Sequence, residues 1–181
     1  YLTSDELGTY ASLQELLTRS FSLTLFPFTM ALHPRIMKLW NTSKIHDAAK
    51  LIIKSICIIF CIGIFILLIV WLYKDFIFLG IQKVIPAFNI KSKMLILPLF
   101  SAGFLWQLSL LTHKMLELKE QSKLMIVAIF PSLIINIIGN NYFLPNFGGI
   151  ATAYTAFFSS LAYFTITGVH FLYTIKKIRI V

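Results

Sequence analysis

The sequence predicts an all-α integral membrane protein with about five transmembrane helices. Three observations carry that prediction. Hydrophobic residues make up 58% of the 181 residues and charged residues only 13%, where a soluble domain carries roughly a quarter. Mean hydropathy is +0.83. Residues 124–175 contain no Asp, Glu, Lys or Arg. Each side of the turn-forming interruption in that stretch is long enough, as a helix, to cross a hydrocarbon core, which takes about 20 apolar residues. The chain therefore reads as a single transmembrane domain, 1–181.

The formal charge of +9 does not point to nucleic acid. The cations sit at the edges of apolar runs, where the positive-inside rule places them. Cys57 and Cys61 lie four apart in an apolar run with no His beside them. They read as small apolar residues rather than a metal or redox pair. No metal site or cofactor is expected, because His33, His46, His113 and His170 show no ligand-like spacing.

The first element begins with capping-box spacing between Thr3 and Glu6 and an acidic first turn, Ser4-Asp5-Glu6. A span over 11–32 follows, and it is the one that carries charge. Glu15 and Arg19 are four apart and meet on a helix. Ser12, Ser22, Phe26, Thr29 and His33 extend the same face. Such a stripe must point at protein or at a water-filled cavity, since exposure to lipid is costly. Pro27 is placed to kink the helix.

Residues 33–54 read as a basic connecting segment around Pro34, and the sequon at Asn41-Thr42-Ser43 as chance. A second span covers 51–73, ending in Trp71 and Tyr73 as interface anchors. Residues 74–93 form a longer loop whose apolar residues, broken by Gly80 and Pro86, lie along the membrane surface. The third span covers 94–112 and contains Gln107; a short charged turn over 113–123 follows. The fourth and fifth spans, 124–144 and 149–173, form a hairpin closed by Pro145 and Gly148-Gly149. Ser132, Asn136 and Asn140 share one face of the fourth. Thr152, Thr155, Ser159 and Ala162 form a small-residue stripe on the fifth, suited to close helix packing.

Orientation follows from the cations. With the segment after the first span inside, eleven Lys and Arg face inward and four (Lys74, Lys83, Lys91, Lys93) outward. The acidic N-terminal stretch is then outside and the basic tail inside. An odd number of spans starting outside creates the expectation that further spans precede Tyr1.

A set of short motifs bears on that expectation. Asp5-Glu6-Leu7-Gly8-Thr9-Tyr10 resembles the E-L-G-x-Y start of a span in Wzx-type polysaccharide flippases, and Pro34-Arg35-Ile36-Met37-Lys38-Leu39 is similar to the P-x-x-x-K-L that follows it. Asn136, Asn140 to Pro145 and Phe147-Gly148 resemble the hairpin pattern N-x-x-x-N…L-I-P-x-Y-G. Ala151-Thr152-Ala153 stands where a G-A-A-x-A-T run occurs, with Ala for the usual Gly and Thr-Ala for Ala-Thr. Each motif alone is weak; their order and spacing cover essentially the whole chain. The resemblance is to flippases of the multidrug/oligosaccharidyl-lipid/polysaccharide exporter (MATE-like) superfamily. It implies that these spans form most of a C-terminal lobe whose N-terminal lobe is absent here.

It also implies a bacterial plasma-membrane protein that moves a polyprenyl-diphosphate-linked oligosaccharide to the outer leaflet by alternating access, for cell-surface polysaccharides such as O-antigen. Its partners would be that lipid, membrane lipids and the missing lobe, with no nucleic acid. Flipping breaks no covalent bond, so the chain would not be an enzyme. Arg19 would meet the diphosphate, with Glu15 holding it or coupling it to an ion; a structural pair with Arg19 snorkelling is the competing reading. Gln107, Asn136 and Asn140 can bond sugar hydroxyls, against plain helix–helix hydrogen bonding. His170 reads as interfacial rather than as a proton relay. Two other classes stand beside this one. A cation-coupled multidrug exporter calls for acidic residues deep in the spans, where only Glu15 occurs, near an end. A membrane glycan polymerase or ligase calls for a catalytic constellation, and no HExxH, GxSxG or P-loop pattern occurs. A structural subunit is the remaining reading.

Overall fold

The structure is a computed structural model. It describes residues 3–85, 88 and 90–180, without the side chains of Lys91, Arg179 and Ile180. Pro86, expected to break the surface loop, and Tyr1 lie outside the described residues, as do the Lys91 and Arg179 side chains in the cation count.

Seven helices occur among the described residues, with no strand: α1 (Ser4–Asn41), α2 (Ile45–Leu72), α3 (Lys74–Val84), α4 (Ile96–Thr112), α5 (Lys114–Leu118), α6 (Ser122–Phe147) and α7 (Gly149–Ile180). A 3₁₀ turn, Ile90–Leu95, leads into α4. Four helical stretches are long and apolar enough to cross a membrane: Ile45–Leu72, Ser92–Leu118, Ser122–Phe147 and Gly149–Ile178. The protein is thus all-α, with helices suited to a multi-pass membrane protein. α1, expected to hold the first span, is not among them. It has the length, at 38 residues, but Glu15, Arg19, His33 and its many hydroxyl residues dilute its apolar character.

α1 starts as its sequence dictates. The Thr3 hydroxyl accepts from the Glu6 backbone N–H, and the Glu6 carboxylate accepts from the Thr3 N–H at 3.0 Å. This satisfies two donors that a helix start leaves open. α1 then runs through Pro27 and Pro34, so the segment expected to connect the first two spans is mostly helix. Ile36 explains the continuation: it is buried against Ala49 and Ile52 of α2, Met115 of α5, and Phe171 and Ile175 of α7. Only residues 42–44 link α1 to α2, with Ser43 at a φ of 60°.

The hairpin also differs from expectation. α6 continues through Pro145 to Phe147, and Gly148 alone makes the turn. Its φ of 58° and ψ of −148° belong to a region essentially restricted to glycine. α6 packs on α7 at close range. A Cβ on Gly139 would lie 3.2 Å from Thr155 Cβ, and the Ser159 hydroxyl donates to the Ser132 carbonyl at 2.8 Å. The small-residue stripe of α7 is therefore a packing seam.

The centre of the molecule is α4, not the hairpin. Of its apolar window 61% is buried, against 22% or less in the other three. α1, α2 and α7 surround it, and α6 packs mainly on α7. Small residues let the neighbours in. Phe104 of α4 lies across Gly63 of α2, and Gly103 lies against the Thr18 backbone of α1. Phe21, Leu25, Ile59, Phe104, Leu108 and Leu111 form the middle of the core. One end holds Ile36, Ile52, Met115 and Phe171; the other holds Tyr10, Leu13, Val70, Phe78, Phe88 and Leu95. The first is the basic end, where α1 meets α2 and α4 leads through α5 to α6. The second carries the start of α1, the α6–α7 turn and α3.

Candidate functional site

The residues nominated from the sequence fall in three separate places. The first is the outer face of α1. Tyr10, Leu13, Leu17, Phe21 and Leu25 follow helical spacing and are buried, which turns the opposite face away from the core; that face mixes polar residues with the exposed Leu16, Leu23, Phe26 and Met30. Glu15 and Arg19 form an ion pair there, through Glu15 Oε1 and Arg19 Nε, with 60% and 69% of their side chains exposed. Ser12 is exposed, and Ser22, Thr29 and His33 are half-buried. At the basic end of this stripe, His33 Nδ1 lies 3.8 Å from Glu117 Oε1. The same carboxylate accepts from Lys114 Nζ at 2.8 and 2.9 Å. Among the described residues nothing covers the ion-paired section. In lipid an exposed Arg costs about 3 kcal/mol or more near the middle of a helix, whereas a solvated pair costs and gains little. The pair is therefore tolerated in water or at the membrane interface, and within the hydrocarbon only against a polar neighbour.

Gln107 occupies the second place. It is buried within α4, one turn on from Gly103, which lies against Thr18 of α1. It lies beneath α1 rather than on the exposed stripe. Asn136 and Asn140 occupy the third, on α6. Asn140 Nδ2 donates to the Asn136 carbonyl at 2.9 Å and to Asn136 Oδ1 at 3.1 Å. Asn140 Oδ1 is enclosed without a partner, as is Thr152 Oγ1 on α7. The chain alone brings Glu15 to Arg19 and Asn136 to Asn140, but does not bring the two pairs or Gln107 together.

Two features were not nominated. A polar seam joins α4 and α7 toward the basic end. The Thr112 and Thr167 hydroxyls are 2.7 Å apart, the Thr167 hydroxyl donates to the Tyr163 carbonyl, and the Tyr163 hydroxyl lies 3.1 Å from His113 Nδ1. Trp106 stacks on Tyr163 with ring centroids 5.4 Å apart. Tyr163, Thr167 and His170 share a face in the sequence, but nothing there shows that Thr112 and His113 meet it. His170 Nδ1 is enclosed without a hydrogen bond.

The second is a cavity of about 340 Å³ at the opposite end, bounded by the first turns of α1, the 3₁₀ turn and the α6–α7 turn. Asp5, Glu6, Thr9 and Tyr10 line one side; Ser92 and Leu95 a second; Phe147, Gly148 and Gly149 a third. Burial pushes the Tyr10 hydroxyl up to about 12, because the phenolate would lose its hydration there. Its sequence signal is the overlap of an acidic helix start with the Gly-Gly turn, which becomes visible only once α1 and α7 are known to meet. Among the described residues no three His, Cys, Asp or Glu are grouped so as to hold a metal ion.

No family model, curated protein or solved structure matches this chain.

Proposed function

We propose that this chain is most of the C-terminal lobe of a MATE-like flippase in a bacterial plasma membrane. It moves a polyprenyl-diphosphate-linked oligosaccharide to the outer leaflet for surface polysaccharide synthesis. The observation that carries the reading is the Glu15–Arg19 pair of α1, which the described residues leave uncovered beside helices apolar enough to lie in lipid. A second lobe facing that pair would enclose a polar passage, and such a passage is what a sugar chain needs to cross while its lipid tail stays in the bilayer. Arg19 is the cation for the diphosphate and Glu15 sets its position. The process is non-covalent and uses no cofactor; an ion gradient or the membrane potential drives it. Asn136 and Asn140 are already hydrogen-bonded to each other and serve the hairpin. Gln107 reaches the substrate only if α1 moves.

The test is complementation. The intact protein containing this chain, expressed in a bacterium lacking its own flippase, restores surface polysaccharide. Arg19→Ala weakens that at least tenfold with protein level unchanged, and Arg19→Lys recovers part of it. Full activity of Arg19→Ala removes the anion-binding role.

A further inference from the structure

The cavity at the start of α1 has a use that the stripe does not supply. Thr9 is 8% exposed and Tyr10 7%, so both are more than nine-tenths buried, and both line the cavity. Among the described residues neither side chain makes a hydrogen bond. Neither hydroxyl is among the enclosed, unpartnered atoms of the described residues, and both residues face the cavity. Both hydroxyls are thus left to bond water or a ligand held at one concave site.

The surroundings restrict what that is. The Asp5 carboxylate repels an anion. Two helices begin here, α1 at Ser4 and α7 at Gly149, and their partial positive ends disfavour a simple cation. A neutral ligand with many hydrogen-bonding groups remains. Asp5 accepts from it, the opening N–H groups of α7 donate to it, and the Thr9 and Tyr10 hydroxyls do either. The rings of Tyr10 and Phe147 supply an apolar wall for C–H groups. The volume lies at the small end of the ~300–1,000 Å³ range of ligand sites, which suits one ring rather than a chain.

We infer that this cavity binds a single neutral pyranose unit, held by Thr9, Tyr10 and Asp5 at the end of the protein away from the basic loops. The inference rests on the proposed function for its biological meaning: the unit would be one sugar of the transported glycan, received on the outer side. The binding itself is testable without transport.

The experiment is saturation-transfer NMR on the purified chain in nanodiscs. The probes are glucose, galactose, mannose, rhamnose, N-acetylglucosamine and N-acetylgalactosamine, with choline and methyl phosphate as charged controls. At least one pyranose gives ring-proton transfer. Thr9→Val and Tyr10→Phe each weaken it by about fivefold, as expected for one neutral hydrogen bond. Both replacements keep the shape of the side chain, and helical content by circular dichroism checks that the fold is kept. The inference is overturned if no pyranose gives a Tyr10-dependent signal, or if choline or methyl phosphate gives it instead. Complementation without pyranose binding removes this site and leaves the flippase reading. Pyranose binding without complementation does the reverse.

Discussion

Gly63→Ala tests the seating of α2 on the central helix. In an exposed helix this substitution stabilises by about 1 kcal/mol, because alanine loses less backbone freedom than glycine. Here the new Cβ would fall on the Phe104 ring, overlapping Cε2 and Cζ, and even Cδ2 would be only 2.5 Å away. The ring has nowhere to go. Phe104 is 2% exposed, with the Phe21 ring at 5.6 Å and the Phe60 ring at 6.3 Å between centroids. Overpacking of this kind costs about 1–3 kcal/mol, and driving the ring off its rotamer adds about 0.5–1.5 kcal/mol. Subtracting the propensity gain leaves a net loss of about 2 kcal/mol. Reversible unfolding in mixed detergent micelles reads it. Phe104→Leu removes the far edge of the ring, so the double variant Gly63→Ala/Phe104→Leu recovers at least about 1 kcal/mol of the sum of the single losses. A Gly63→Ala protein as stable as wild type, with no coupling to position 104, refutes the close approach of α2 and α4.

Three further outcomes follow from particular contacts. Gly148→Ala puts a Cβ on a residue with φ of 58° and ψ of −148°, and lowers stability in the same assay by about 1–3 kcal/mol. Thr112→Val and Thr167→Val each cost about 0.6 kcal/mol, the usual scale for interhelical hydrogen bonds in membranes; the double variant costs less than the sum, since both remove the same 2.7 Å contact. Tyr10 has its hydroxyl raised to about 12 in the folded protein, against about 10 unfolded. Its stabilising contribution is complete below pH 10 and is lost as pH rises toward 12. The stability difference between wild type and Tyr10→Phe therefore shifts against wild type across that window and stays flat below it.

The apolar character of α2, α4, α6 and α7 was legible because length and hydropathy are properties of sequence alone. The Thr3/Glu6 cap and the Glu15/Arg19 pair were legible because both partners lie within one helical turn. The centre of the fold was not. Residues 124–175 are the longest uncharged stretch, which makes them look central, yet lack of charge reports exposure to an apolar medium as readily as burial. α4 is the core because Gly103 and Gly63 allow α1 and α2 to close on it, and that depends on contacts between distant residues. Pro34 and Pro145 misled in the same way. A proline removes one hydrogen bond and strains the turn before it, but burial of Ile36 outweighs that in α1, and in α6 Pro145 falls only two residues before the helix ends. The cavity of Thr9 and Tyr10 was hidden because its walls come from three places along the chain.

The account turns on what faces the exposed side of α1, and cysteine accessibility measures that most directly. In the protein with Cys57 and Cys61 replaced by Ser, single cysteines at Ser12, Ser22 and Thr29 are treated in membranes with a small, water-soluble thiol reagent, with Phe65 as the comparison. Phe65 is 64% exposed on this chain but lies on α2, a helix apolar enough to face lipid. A polar passage predicts rapid labelling at 12, 22 and 29, slow labelling at 65, and protection by added lipid-linked oligosaccharide. Equal rates at all four positions, or no labelling at 22 and 29, would contradict it.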